Sequence, residues 1–586
     1  MPHQYVKRAL TAALTVAALA GGCRGREGDR ATGATMAPQG PWFSDAPPQS
    51  GLDFMHFNGM SGEFYYPELM APGVALFDYD NDGDLDVFVV QGRMLGSKPI
   101  DAALFPPRDP SALRGRLFRN DLHVTADGSR VLHFTDVTEE SGIDARGYGM
   151  GVAAGDFNND GCVDLYVTNL GSNQLFRNNC DGTFTDVTKA SGTESPGWSV
   201  SAAFVDFDRD GWLDLFVGHY VNYSVDRNIR CFGLAGGPDY CPPHVYAAQP
   251  SKLYHNNHDG TFTDVTARAG LAAQFGPALG VSTADFDGDG WIDLYVANDG
   301  QPNQLWINQR NGTFKNTALV AGAALGAEGE AKSSMGVDAG DFDNDGDEDL
   351  IVTELVGQGI DLYVNDGPAV FEERSARAGL RQATLPYTGF GAAWFDFDND
   401  GRLDLLIVNG AVTQNADASA RRDPFPLRQR KLLLRNDGGG RFEEVTDRAG
   451  PVFALAEVGR GAAFGDIDND GDTDVIVGNA SGPLRLLLNN VGQRRHWIGL
   501  RLVGHDAPRD MIGARVAIVK ADGSTLWRRA RSDGSYASAS DPRVLVGLGD
   551  SSQPPAVRVM WPDGRTETWT GVPVDRYTTL TQGSGQ

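Results

Sequence analysis

Seven times the chain repeats one nine-residue spacing of oxygen donors, Asp-x-Asp/Asn-x-Asp-Gly-x-x-Asp. Side chains at positions 1, 3 and 5 converge on one point, Gly at 6 allows a sharp turn, and the carbonyl at 7 with Asp at 9 completes an oxygen cage. In the order 1, 3, 5, 7, 9, the first copy offers Asp78, Asp80, Asp82, Asp84 and Asp86, and the second Asp156, Asn158, Asp160, Cys162 and Asp164. The third gives Asp206, Asp208, Asp210, Trp212 and Asp214, and the fourth Asp285, Asp287, Asp289, Trp291 and Asp293. Then come Asp341, Asp343, Asp345, Asp347 and Asp349, followed by Asp396, Asp398, Asp400, Arg402 and Asp404. Asp466, Asp468, Asp470, Asp472 and Asp474 close the series. Hard oxygen ligands in this number suit Ca²⁺ better than Mg²⁺ or zinc, so up to seven calcium ions are expected as the cofactor. The spacing begins like an EF-hand, but no Glu stands at position 12 and strand-like residues flank each copy, so an EF-hand is rejected. Asn158 removes one charge and should weaken its site. A metal in every repeat reads as a scaffold device rather than a catalytic one.

Each acidic loop lies between a Gly/Ala-rich apolar stretch and an alternating run such as Leu165-Tyr-Val-Thr168. A second pattern follows, Leu-x-x-Asn, a turn, then Phe-x-Asp-Val-Thr, as in Leu175-Phe-Arg-Asn178 with Phe184-Thr-Asp-Val-Thr188. Each repeat therefore holds four short strands, A to D, with the acidic loop joining A and B. Seven such repeats predict an all-β chain built on a seven-bladed propeller, because a single blade cannot bury both faces. The last repeat ends at Leu486-Leu-Leu-Asn489 without its Phe-x-Asp-Val-Thr, while Phe43-Ser-Asp-Ala46 precedes the first. The N-terminal segment is thus predicted to supply the missing outer strand and close the ring.

Charge constrains partners. Overall the chain carries −27; residues 494–586 hold 13 basic and 9 acidic residues, leaving −31 on the first 493. That excess repels nucleic acid and strains a compact fold unless cations neutralise it, and seven divalent ions would return fourteen charges. Lys7 and Arg8 precede an apolar run, Ala9 to Ala20, that is too short to span a bilayer and reads as an export signal. The expected organisation is a signal peptide at 1–22, a linker at 23–41, the propeller at 42–493 and a small β domain at 494–586. Gly21-Gly22 before Cys23 resembles a lipoprotein box, giving Cys23 as the lipidation site and a lipid anchor as the one membrane contact; ordinary cleavage after Ala20 is the alternative. The expected location is the bacterial outer membrane or cell surface, otherwise periplasmic or secreted.

Four further cysteines suit an oxidising compartment. Cys231 and Cys241 flank a Gly-rich loop and are expected to pair; Cys162 on an A–B loop and Cys180 on the C–D turn of the same repeat should meet. Long insertions at Gln91 to Gly115, His219 to Pro250 and Asn409 to Arg430 fall between strands B and C, on the face opposite the acidic loops. Loops on a rigid scaffold commonly bind ligands. Tyr220, Tyr223, Phe232, Tyr240, His244 and Tyr246 are the candidates for contacting a protein or glycan, or else form a stapled loop over the propeller mouth. No catalytic motif is present, so no catalytic residue is assigned and a binding or adhesion module is favoured over an enzyme. The rival is a polysaccharide lyase or hydrolase that uses acids outside the seven loops.

Beyond Asn490 the repeat stops. Alternating segments at Trp497 to Val503, Val516 to Val519, Val544 to Leu548, Val557 to Trp561 and Tyr577 to Leu580 suggest a β-sandwich whose positive charge suits docking on the acidic propeller, with contact to an acidic polymer as the alternative. The DFDNDGxxD repeats resemble FG-GAP/VCBS repeats of integrin α-type propellers. Ile512-Gly-Ala-Arg-Val516, Arg531-Ser-Asp-Gly-Ser-Tyr536, Val546-Gly-Leu-Gly549 and Trp561-Pro-Asp-Gly564 resemble the ASPIC/UnbV domain. Together they look like bacterial relatives of the cartilage acidic protein family. That resemblance implies a secreted calcium-binding matrix or adhesion protein and supplies no catalytic residue. Asn158 and Phe371-Glu-Glu-Arg-Ser375, which replaces Phe-x-Asp-Val-Thr, depart from the pattern.

Overall fold

A computed structural model describes residues 40–586 apart from 234–235, 414–424, 506 and 508. The expected signal peptide, Cys23 and most of the linker lie outside the described residues, as does the middle of the third insertion.

Strand pairing yields seven four-stranded antiparallel blades, each carrying one acidic loop between its A and B strands, with blades 2 and 3 joined into one sheet where Gly197 and Trp198 pair with Gly171 and Leu170. The innermost strands are Val74–Phe77, Tyr148–Gly155, Gly197–Val205, Ala278–Ala284, Val337–Gly340, Gly389–Phe395 and Gly459–Gly465, which define blades 1 to 7. Successive innermost strands touch, and the seventh touches the first, so the blades form a closed ring. Blade 7 takes its outer strand from the N-terminus. Phe43–Asp45 pairs antiparallel with Arg485–Asn489, Phe43 opposite Asn489. Phe43 is wholly buried among Phe395, Phe397 and Phe453, so the closing strand is anchored by packing as well as by backbone hydrogen bonds.

The Asn of each Leu-x-x-Asn motif stitches neighbouring blades. Its Nδ2 donates to the carbonyl of the second loop residue in the preceding blade, from Asn178 to Tyr79 through Asn489 to Phe397, over 2.7–3.1 Å. Asn120 of blade 1 makes the same bond to Ile467 of blade 7, at 3.0 Å, across the seam. A buried carbonyl needs a partner, and here the repeat supplies one seven times. The Thr after Phe-x-Asp-Val ties strand D back to strand C, as where Leu175 N donates to Thr188 Oγ1 at 2.9 Å. In blade 5 Ser375 replaces that Thr and accepts from Leu362 N at 2.7 Å. The irregular Phe-Glu-Glu-Arg-Ser segment therefore keeps the contact.

The C-terminal domain is a two-sheet sandwich. Val544–Gly549, His496–Val503 and Tyr577–Thr581 form one sheet; Thr525–Arg529, Arg515–Val519, Ala556–Met560 and Thr566–Thr570 form the other. Thr525–Arg529 and Thr566–Thr570 go beyond the strands expected from sequence. Pro562-Asp-Gly564 lies in the hairpin between Ala556–Met560 and Thr566–Thr570, as expected.

This domain sits on the acidic-loop face and sends one segment into the propeller centre. Residues 531–541 run past the innermost strands. Ser535 O accepts from Val337 N, Ala537 O from Val152 N and Ala539 O from Leu76 N, over 2.9–3.1 Å. The Tyr536 ring is fully buried edge-on to Phe390, and its hydroxyl donates to Met70 O at 2.9 Å. Gly73, Gly151 and Gly461 face this segment so closely that a Cβ on any of them would lie within 2.8 Å of it. Small residues on the inner strands thus make room for a plug.

Candidate metal centres

Four backbone hydrogen bonds shape every acidic loop. Gly at position 6, with φ between 87° and 106°, turns the chain so that its N–H meets the position-1 carboxylate; Gly83 to Asp78 and Gly401 to Asp396 are examples, at 3.1 and 2.7 Å. The N–H at position 7 donates to the position-5 Asp, as from Trp212 to Asp210 at 2.9 Å. The Asp at position 9 accepts twice, as where Asp164 takes Phe157 N at 3.1 Å and Asn178 N at 2.7 Å. Loop shape is therefore set by the carboxylates themselves, each held with lone pairs to spare.

Ligand oxygens converge within 4.8 Å of one another in Asp78/Asp80/Asp86, Asp206/Asp208/Asp210 and Asp285/Asp287/Asp289. Two oxygens facing each other across a calcium ion, at bonds of about 2.4 Å, would be separated by roughly that distance. Asp78 Oδ1, Asp206 Oδ1 and Asp208 Oδ1 are buried without a hydrogen-bond partner. Oxygens left this way cost free energy unless something positive meets them. The donor set and the orphaned oxygens both fit a hard divalent cation. Residues at position 7, including Cys162, Trp291, Asp347 and Arg402, would contribute their carbonyls. Burial pushes the position-1 carboxyls upward, to about 6 for Asp78, Asp156, Asp206 and Asp285, about 7 for Asp341 and Asp396, and about 8 for Asp466. In blade 2 the Asn158 amide donates to Asp160 at 2.8 Å, a contact no carboxylate there could make.

Blade 6 gathers three arginines at its loop, where blade 4 has Arg310 on Asp289 at 2.5 Å. Asp398 and Asp400 are met by Arg435, at 2.8 and 3.3 Å, and by Arg495, while Arg402 also pairs with Asp400. Arg435 and Arg402 belong to the blade; Arg495 comes from the start of the C-terminal domain. Further arginines of that domain line the loop face. Arg509 donates to Gly211 O at 3.1 Å, Arg528 to Gly401 O at 3.1 Å and Arg543 to Asp466 O at 2.9 Å. Nothing local in the sequence pairs these arginines with loops 77 to 298 residues away; only the local excess of base pointed to docking.

Cys162 and Cys180 are bonded, with Cα atoms 5.7 Å apart, as are Cys231 and Cys241, at 5.1 Å. The B–C insertions do lie opposite the acidic loops, but the proposed ligand surface needs correcting. Tyr220, Tyr223 and Tyr240 are buried, not displayed. They belong to a cluster with Tyr66, Trp198 and Tyr148 that caps the channel. Tyr66 and Tyr220 share a 2.5 Å hydroxyl contact, Tyr220 donates to Asp299 at 2.5 Å, and Tyr240 donates to Glu68 at 2.9 Å. An aromatic-rich insertion reads the same from sequence whether its rings face water or a neighbouring segment, here residues 54–71. Phe232 (70% exposed) and His244 remain on the surface, and Tyr246 is half-buried against Tyr66.

Among the described residues no helix is long and apolar enough to cross a membrane. Residues 504–586 match the ASPIC and UnbV family, and 156–217, 245–296, 285–352 and 428–495 match FG-GAP-like repeats. The chain is 28% identical over 321 residues to cartilage acidic protein 1 of Mus musculus, covering 52% of this chain and 44% of that protein. It is 27% identical to the Homo sapiens protein over 315 residues, covering 52% of this chain and 43% of that protein. The chain thus spans under half the length of the curated relatives it matches. Among solved structures, an Agrocybe aegerita protein recognising non-reducing terminal N-acetylglucosamine aligns with 59% of this chain and 83% of its own, at 16% identity and a TM-score of 0.32, too low to carry an argument. The repeats, the terminal domain and the named relatives agree: this chain carries FG-GAP-like repeats followed by an ASPIC and UnbV domain, which fits the family its sequence motifs resemble.

Proposed function

We propose that this protein is an exported calcium-binding propeller that serves as a binding or adhesion module for protein or glycan, at the cell surface or in the periplasm. The observation that carries the calcium reading is the acidic loop repeated seven times, with carboxylate oxygens converging in blades 1, 3 and 4 and unpartnered buried oxygens at Asp78, Asp206 and Asp208. The binding reading follows from what is covered. The C-terminal domain occupies the acidic-loop face and plugs the channel, so recognition falls to the opposite face, where Phe232, Ile229 and Leu104 are exposed on the first two insertions. Exposed apolar side chains on loops of a rigid scaffold suit a partner surface. The named relatives, matched over part of their length, are consistent with an extracellular role.

The test is a glycan-array and pull-down comparison of the calcium-loaded chain with Phe232→Ala and Ile229→Ser, which leave the buried tyrosines in place. Binding lost in the variants and in excess chelator supports the proposal. Binding that persists in both would rule this face out.

A further inference from the structure

Six of the acidic loops are bordered by oxygen donors, guanidinium groups or apolar side chains, while the loop of blade 3 is bordered by two imidazoles. The third residue of the Leu-x-x-Asn motif is Arg119, Arg177, Ile307, Val364, Arg435 or Leu488 in the other blades. In blade 3 it is His255. Its Nδ1 lies 3.1 Å from Asp214 Oδ1 and 3.3 Å from Asp208 Oδ2. Adjacent ligands on an octahedral ion with bonds of about 2.1–2.2 Å are separated by about 3 Å, so the imidazole nitrogen stands from each of the two oxygens as a neighbouring ligand would, and ligand atoms of the three residues lie within 4.8 Å of one another. In the same loop, Asp206 Oδ1 and Asp208 Oδ1 are buried without a hydrogen-bond partner and the Asp206 side chain is 3% exposed, while the Arg509 guanidinium stands 3.9 Å from its other oxygen, Oδ2. His258 takes a different part. Its Nε2 is 2.6 Å from Asp210 Oδ2, too close for two ligands on one ion but right for a hydrogen bond that orients the carboxylate. Its ring is stacked on Trp212 at 4.8 Å, which fixes that orientation.

We propose that the blade 3 loop is a mixed imidazole–carboxylate site for a divalent first-row transition ion, with His255 Nδ1 as its nitrogen ligand and His258 positioning Asp210. Calcium gains little from an imidazole, whereas ions of the cobalt and zinc type gain strongly, so this one loop discriminates where the others do not. The inference rests on the reading of the loops as cation sites.

The test keeps the full chain in millimolar calcium throughout, adds Co²⁺ as the probe, removes free metal and counts both elements per chain. The expected result is calcium in several loops, one cobalt per chain and a visible d–d absorption band. His255→Gln should lose the band and weaken cobalt binding at least tenfold with its calcium content unchanged. His258→Gln should weaken cobalt about 10- to 100-fold. His244→Gln, on the opposite face, should do neither. Cobalt retained equally by His255→Gln, or absent from the wild-type chain while calcium fills the loops, overturns this inference alone. A chain that holds neither element overturns the calcium reading beneath it.

Discussion

Asp338 of blade 5 and Arg531 of the C-terminal plug form a two-armed ion pair inside the propeller, one arm of which spans 2.7 Å from Nη2 to Oδ2. Asp338 is fully buried and also accepts from Trp394 N of blade 6 at 2.8 Å. One carboxylate thus joins two blades and the terminal domain. Replacing it strands a guanidinium in the channel, and breaking a buried pair from one side typically costs about 3–5 kcal/mol. Asp338→Ala should lose that much in urea unfolding, and Asp338→Asn less, because its amide oxygen still accepts. Wild-type stability in both variants would show that the plug is not held here.

Metal removal should act on the whole ring. The first 493 residues carry −31 formal charges, and each ion lost returns two of them to the loop face. Ions that bind only the folded chain stabilise by mass action, about 2.7 kcal/mol per site at a hundredfold excess over Kd. Tm should therefore rise with calcium concentration and fall steeply in chelator, read by scanning calorimetry at constant ionic strength. A melting curve unmoved by chelator would end the structural-calcium account.

Blade 6 should take up calcium less readily than loops with fewer arginines. Arg435, Arg402 and Arg495 already stand at the carboxylates that an ion would need. Arg435→Gln removes one competitor for Asp398 and Asp400 and should raise calcium bound per chain at limiting calcium. Equal titration curves for variant and wild type would show that these arginines do not compete.

The repeat made the propeller and its N-terminal closure legible, because seven copies of one pattern state both the strand order and which strand is missing. The loops were legible for the same reason, since ligand spacing is local. The plug was not. Ser532-Asp-Gly-Ser-Tyr-Ala-Ser-Ala-Ser540 has no periodicity, and its partners, Val74, Val152 and Val337, lie 198 or more residues away in sequence. The insertion tyrosines were misplaced for a related reason. What buries Tyr220 and Tyr240 is Tyr66 and Glu68, which come from a segment with no pattern of its own.

Ring closure makes a separate prediction. Asn120→Ala leaves the Ile467 carbonyl buried without its donor and should cost about 1–3 kcal/mol. Deleting residues 42–46 uncovers the edge of Arg485–Asn489 and should cause concentration-dependent association, seen by light scattering. A monomeric, fully stable deletion variant would mean that the terminal strand is dispensable.

Glu68 gives the fold a pH dependence of known sign. It is 1% exposed at the capped end of the channel, and burial raises its carboxyl to about 8 despite the hydrogen bond from Tyr240. In the unfolded chain it titrates near its ordinary 4.5, so the folded state holds a proton that the unfolded state releases. Its contribution to stability is fully present below about pH 4.5 and is lost as pH rises towards 8, on the order of a few kcal/mol across that window. Glu68→Gln keeps a neutral side chain at every pH. In saturating calcium, which keeps the loop carboxylates out of the comparison, the difference in unfolding free energy between variant and wild type should grow in the variant's favour from pH 5 to about 8 and then level off. A difference that stays flat across that range would mean that Glu68 is ionised in the folded protein, and the aromatic cap around it would then have to accommodate a charge.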